Sequence, residues 1–287
     1  MAESPITPRD KHFGRSGVGA DLEAGCSTRG DLLGLNPVAV KYEKAPIVEA
    51  VIEVQVEAEP AMDIATMRQK LEPLLSVEYP QIAESDHVHG HFTIKSASGP
   101  NSRIETSRLG YDFVSRDGKR IFRAHKNRFS FSRLGPYGTW ADLKTEAQRL
   151  WEIYLTAVPM SRITRVGVRY INKLEFPPGE LQFHDYLNTY PQVSGKAPDL
   201  VTGFFMRLEL PQRDIDSFAV FILASAPSES GNVSMVLDID VFKQADQVKA
   251  LIDPWADLEL LRERKNEYFE SVITDKTRLL FGERTEY

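Results

Sequence analysis

The stretch PIVEAVIEVQVE, residues 46 to 57, leaves little choice but a β-strand. Val48, Ala50, Ile52, Val54 and Val56 alternate with Glu49, Val51, Glu53, Gln55 and Glu57. A period of two gives the strand one apolar and one polar face. The polar face carries three glutamates, one every fourth residue. Like charges in such a row repel one another, so a neighbouring element must answer them or water must.

The rest of the chain reads as two passes through one plan. After the first strand, Pro60 ends the extended run and Asp63 is placed to cap a helix with Ile64, Met67, Leu71 and Leu74 on one face. Strands are expected near 90–95, 102–115, 119–124 and 127–134, with RDGK at 116–119 as an Asp-Gly hairpin turn. Thr139 then caps a helix, with Asp142 placed as in a capping box. Its stripe is Trp140, Leu143, Ala147, Leu150, Trp151 and Tyr154. In the second pass a strand covers 163–175 and a short helix lies near 181–188. Strands follow near 202–210, 216–224 and 233–241. A long helix after Pro254 presents Leu258, Leu261, Tyr268, Phe269 and Val272.

The expected class is therefore α+β: two tandem strand–helix–(three or four strands)–helix units, at 41–158 and 159–287, packed as one body. The plan resembles that of TATA-binding-protein-type repeats. That resemblance implies a mainly antiparallel curved sheet, joined through the first strand of each unit, with helices on one face. It is a likeness of fold and carries no function. Residues 1–40 are rich in Gly, Ser, Arg and Asp without a sustained period, and read as a disordered tail or an upstream start.

The duplicated plan offers an answer to the glutamates. Shifting the first strand by 116 positions places Glu49, Glu53 and Glu57 on Arg165, Arg169 and Lys173 of ITRVGVRYINKLE. Antiparallel pairing about a twofold axis would set Glu53 by Arg169, Glu49 by Lys173 and Glu57 by Arg165. Asn172 shares a face with Val166, Val168 and Tyr170, so it is expected to be buried and bonded to neighbouring backbone.

Composition narrows the function. A 287-residue chain with 42% hydrophobic and 26% charged residues can bury a sizeable core. The net charge of −6 gives no global field for nucleic acid or anionic lipid. The single cysteine, Cys26, and the absence of a leader-like or membrane-length apolar run fit a cytoplasmic protein with no membrane contact. No nucleophile elbow, P-loop or dinucleotide fingerprint lies in a folded context, so no catalytic residue and no cofactor are assigned.

Three clusters remain. His87, His89 and His91 share a strand face, but residues two apart lie about 6.6 Å apart along a strand, which strains three ligands onto one ion. An exposed polar loop entering a strand is the better reading, and no metal is assigned. Asp238 and Asp240 face one way and read as the solvent side of an amphipathic strand rather than a magnesium site. The segment 101–134 holds nine Lys or Arg against three acids, a local +6, interleaved with Tyr111, Phe113, Phe122, Phe129 and Phe131. Its candidate anion-binding residues are Arg103, Arg116, Arg120, Arg123, Arg128 and Arg133.

The stretches APIVEAVIEV at 45–54, NRFSFSRL at 127–134, Pro136-Tyr137 with Trp140, VGVRYIN at 166–172 and LDIDV at 237–241 together resemble a sporadically distributed, uncharacterised bacterial family of conserved hypothetical proteins. The resemblance spans about 41–281 and implies no activity. Its patchy distribution implies defence- or mobile-element-associated genes. Members begin close to the APIVEA strand, without a counterpart of residues 1–40. The expected function is a non-enzymatic binding or regulatory component that recognises a protein partner or an anionic ligand through its sheet. The alternatives are a nucleic-acid binder through 101–134, or a metal-dependent phosphohydrolase on triphosphate-like substrates. EVQVE at 53–57 departs from the E-x-E-x-K strand of triphosphate-tunnel enzymes, which weighs against the last.

Overall fold

The computed structural model describes residues 40–59, 63–95, 99–179, 182–193, 201–228, 231–245 and 254–284, with backbone alone for 87–95, 99–106 and 283–284. The expected tail at 1–40 lies outside them except for Val40. In chain order the strands are β1 (Lys41–Tyr42), β2 (Ile47–Ala58), β3 (Gln81–Lys95), β4 (Gly99–Val114), β5 (Arg120–His125), β6 (Arg128–Leu134), β7 (Met160–Phe176), β8 (Phe205–Gln212), β9 (Ser217–Ala226), β10 (Val233–Gln244) and β11 (Glu283–Arg284). The helices are α1 (Ile64–Leu75), α2 (Trp140–Ala157), α3 (Phe183–Tyr186), α4 (Pro254–Val272) and α5 (Asp275–Phe281).

Nine strands form one antiparallel sheet in the order β3-β4-β5-β6-β2-β7-β10-β9-β8. The glutamate strand β2 is central, between β6 and β7. Local signals place the elements. Asp63 accepts the Thr66 N–H at 2.9 Å and starts α1, and Thr139 accepts the Asp142 N–H at 3.2 Å and starts α2. In the 116–119 turn, Gly118 takes φ +69° and donates its N–H to the Ser115 carbonyl at 2.8 Å. A side chain there would be strained.

Alternation sorts the sheet into two faces. Ala50, Ile52, Val54, Phe113, Phe122, Phe129, Val166, Val168 and Ile239 are fully buried beneath α1, α2 and α4. Aromatic rings run through this core: Phe113 to Phe122 at 5.7 Å, Phe122 to Phe129 at 5.5 Å, and Phe129 to Trp151 of α2 at 5.4 Å between centroids. Asn172 is buried as expected and donates to the Leu237 carbonyl of β10 at 3.0 Å.

Several expectations need correction. The strand expected near 90 begins at Gln81, so HVHGHF lies within β3 and is no loop. The His87, His89 and His91 side chains fall outside the described ones. Leu75, not Leu74, completes the buried face of α1: Met67, Leu71 and Leu75 stack one turn apart, and Leu74 is 54% exposed. Sequence reading missed α5 and the small β1–β11 sheet that joins the first and last described segments. There the Tyr42 ring packs edge-on against Phe269 and Phe281, and its hydroxyl donates to Glu270 at 2.8 Å. Among the described residues no helix is long and apolar enough to cross a membrane.

Candidate functional site

No described helix covers the second face of the sheet, and it holds the sequence's charged rows. Strand register arranges its side chains in transverse lines. One line runs Asp112, Arg123, Ser130, Glu53, Gly167, Phe242 and Phe218 from β4 to β9. The next runs Ser132, Val51, Arg169, Asp240 and Val220. Residues directly opposite share a face, so the pattern places acids from three strands within reach of arginines from three.

Arg165 ties the centre together. Its Nη1 donates to Glu53 Oε1 at 2.6 Å and its Nη2 to Asp240 Oδ2 at 2.7 Å, bridging β2 to β10 across β7. The side chain reaches both because Gly167 lies beside it: a Cβ there would stand 2.9 Å from Arg165 Nη1 and 3.0 Å from Phe242 Cβ. The guanidinium also lies 4.1 Å from the Phe242 ring centroid. Burial pushes the Asp240 carboxyl above its ordinary pKa, and the Arg165 charge offsets only part of that.

Arg169 forms a fork on Asp238, with Nε at 2.9 Å from Oδ1 and Nη2 at 2.5 Å from Oδ2. The Asp238 side chain is 8% exposed and that of Arg169 48%, so the carboxylate is enclosed while the guanidinium keeps a face to solvent. Its pKa is raised by the bond to Asp238. On the other flank Arg123 donates to Ser132 Oγ at 2.6 Å and lies 3.4 Å from Asp112 and 3.8 Å from Glu49. Arg128 contacts His125 Nδ1 at 2.9 Å and lies 3.8 Å from Glu53. His125 is buried and its Nε2 stops 3.6 Å from Asp112 Oδ1; among the described residues neither atom has a hydrogen-bond partner.

The expected ladder is therefore present in part and in a different register. β2 and β7 do pair antiparallel at the centre, but Glu53 lies opposite Gly167, Glu49 opposite Ile171 and Glu57 opposite Arg162. Glu53 bonds Arg165 instead of Arg169, and Glu57 bonds Arg162 at 2.6 Å. Lys173 turns to Glu175 at 2.9 Å. The reason lies in β10: Asp238 and Asp240 draw Arg169 and Arg165, so those aspartates are ion-paired and not a solvated face. Sequence reading missed Arg162, Gly167 and Phe242. A glycine between two arginines in RVGVR was the available signal.

The six candidate anion-binding arginines do not gather. Arg123 and Arg128 lie on the open face. Arg120 and Arg133 lie on the helix side, where Arg120 stands 5.3 Å from the Tyr79 ring centroid and 3.7 Å from Glu146. Arg116 is exposed in the hairpin turn, and the Arg103 side chain falls outside the described ones. The basic count of the segment is thus divided between two faces, and its open-face arginines face carboxylates. Among the described residues no cluster of His, Cys, Asp and Glu has metal-binding geometry.

Beyond Phe242 the open face turns apolar. Val220, Ile222, Phe218 and Phe205 line it toward the β8 edge, with Phe205 69% exposed and Phe218 48%. No protein-family model matches the chain, and no curated protein matches it.

Proposed function

We propose that the protein is a non-enzymatic binding or regulatory module that receives a protein partner on the open face of its sheet. One observation carries this reading: a preorganised lattice of paired charges sits beside exposed aromatics on a face no described helix covers. Interfaces combine such a polar, geometrically fixed zone with aromatic anchors. The half-exposed Arg169 guanidinium, held by Asp238, is oriented to meet a partner's carboxylate or carbonyl. Free polyanions and nucleic acid fit less well, because the open-face arginines already face Asp112, Glu49, Glu53, Asp238 and Asp240. The cytoplasmic setting, and the defence- or mobile-element context that the family resemblance implies, belong to the same proposal.

The two units at 41–158 and 159–287 are read as a duplication of TATA-binding-protein type. Strand order supports this: outward from the β2–β7 seam, each half continues with its last strand and ends with its earliest remaining one. The halves differ in strand number and in the four-residue α3.

The test is a pull-down from the native host with wild type and with two open-face variants, Arg169→Glu and Phe218→Asp. Bound protein and nucleic acid are measured together. A protein recovered by wild type and lost from both folded variants supports the reading. Equal recovery by all three, or recovery of nucleic acid alone that salt releases, overturns it.

A further inference from the structure

We infer that β8 is a self-pairing edge, through which a second copy of this chain adds its own β8 antiparallel and continues the sheet. β8 pairs only with β9 among the described strands, and its register with β9 is regular over all eight residues. The backbone phase of the strand is fixed at its start, where the Ser225 N–H donates to the Phe204 carbonyl at 3.0 Å. Alternate residues of a strand turn their N–H and C=O to the same side. Met206, Leu208 and Leu210 therefore bond β9, and Phe205, Arg207 and Glu209 direct theirs to the open edge. Pro211 occupies an edge-facing position, where its missing N–H costs nothing within the monomer.

Native edges are commonly protected by charges, proline, bulges or brevity, which make a second copy unwelcome. This edge has no bulge, its proline stands at the far end of the strand at Pro211, and its middle carries one charge of each sign, Arg207 and Glu209, bonded to each other in the single chain. They flank Leu208 symmetrically. A twofold axis at Leu208 sets Arg207 opposite Glu209 of the second copy, and Glu209 opposite its Arg207. Those are edge-facing residues on both strands, so each such pair exchanges both backbone hydrogen bonds. On the helix side, Leu208 meets Leu208 of the second copy and Met206 meets its Leu210. On the open side, Phe205 meets Pro211 of the second copy, where the missing Pro211 N–H leaves one backbone bond in place of two, so the Arg207–Glu209 pairs carry the full exchange. A slip by one residue in either direction would set an outward backbone against an inward one. A single-strand contact is small, which makes this a concentration-dependent association rather than an obligate one. It does not depend on what binds the open face.

Sedimentation of the full chain over a concentration series tests this, together with amide hydrogen exchange. The expected result is a monomer–dimer equilibrium. Concentration-dependent protection should fall on the amides of Phe205, Arg207 and Glu209, while those of Met206, Leu208 and Leu210 are protected at every concentration. Arg207→Glu and Glu209→Arg each set like charges opposite one another twice, and should weaken dimerisation about tenfold or more. The double swap Arg207→Glu/Glu209→Arg should return it to within about threefold of wild type. All three variants change only the exposed positions Arg207 and Glu209, and thermal midpoints should confirm folding. A monomeric mass at millimolar chain concentration overturns the inference. So does a dimer indifferent to the single variants, or one whose new protection falls outside β8.

Discussion

On the helix-covered face Phe113, Phe122, Phe129 and Trp151 meet only through apolar surface, whereas on the open face Glu53, Arg165 and Asp240 meet through directional bonds. The two faces belong to the same strands and constrain them differently. Slide β2 by two residues along β7 and the apolar face stays apolar, because the side-chain period is two. The same slide re-pairs every charge on the open face. Burial thus decides which side of each strand points inward, and the lattice distinguishes among the registers that burial permits. A core of this kind supplies free energy in bulk; the ion pairs, costly to desolvate, contribute selectivity among alignments.

This contrast can be attacked from both sides. The largest loss should come from the covered face: Phe129→Ala empties a fully buried site between Phe122, Trp151 and Tyr154 and should cost about 3–5 kcal/mol in denaturant unfolding. Arg165→Ala attacks the lattice. It leaves Glu53 and the half-buried Asp240 without their bridge and should cost about 2–4 kcal/mol, less than a full buried-pair penalty because the site is partly solvated. If Arg165→Ala matches the effect of an exposed pair, the lattice has no part in register.

A third substitution should stabilise. Lys265 of α4 is buried against the covered face, its Nζ 3.8 Å from the Tyr170 ring centroid. Burial lowers its pKa from 10.5 to about 7, although the ring face favours the ammonium. Between about 7 and the ordinary lysine range, the unfolded chain holds a proton that the folded chain lacks, so Lys265 makes stability rise with pH across that window. Above it the trend reverses, because burial holds the Tyr42, Tyr79 and Tyr154 hydroxyls above the usual tyrosine range. Lys265→Met should gain on the order of 1–3 kcal/mol at neutral pH and flatten the rise. Melting curves from pH 6 to 10 check both. The smallest effect is expected at the lattice margin: Arg162→Ala breaks the exposed pair with Glu57 and should change stability by less than about 0.5 kcal/mol.

The same contrast explains what could be read from the chain. The covered face was legible: the period of β2, the caps Asp63 and Thr139, the Asp-Gly turn and the buried Asn172 are set by local chemistry or by parity. The expected and the observed register of β2 on β7 differ by two residues, and parity is blind to that difference. Asp238 and Asp240 of β10 hold Arg169 and Arg165 in the observed register, and that competition from a third strand leaves no mark in periodicity. The start of β3 was missed for a related reason. QIAESD is polar on both sides, and its membership of the sheet comes from pairing with β4. The candidate anion-binding arginines divide between two faces, because a charge count along the chain does not register which face each arginine takes.

The clasp between β1 and β11 has a consequence for how the protein is made. Lys41 pairs with Arg284 and Tyr42 with Glu283, while the aromatic cage around Tyr42 comes from Phe269 and Phe281. Tyr42 and Glu270 are separated by 228 positions, a span that translation crosses on the order of tens of seconds. Until α4 and α5 have been made, Tyr42 has neither Phe269 nor Phe281 to pack against, so this closure comes late in folding.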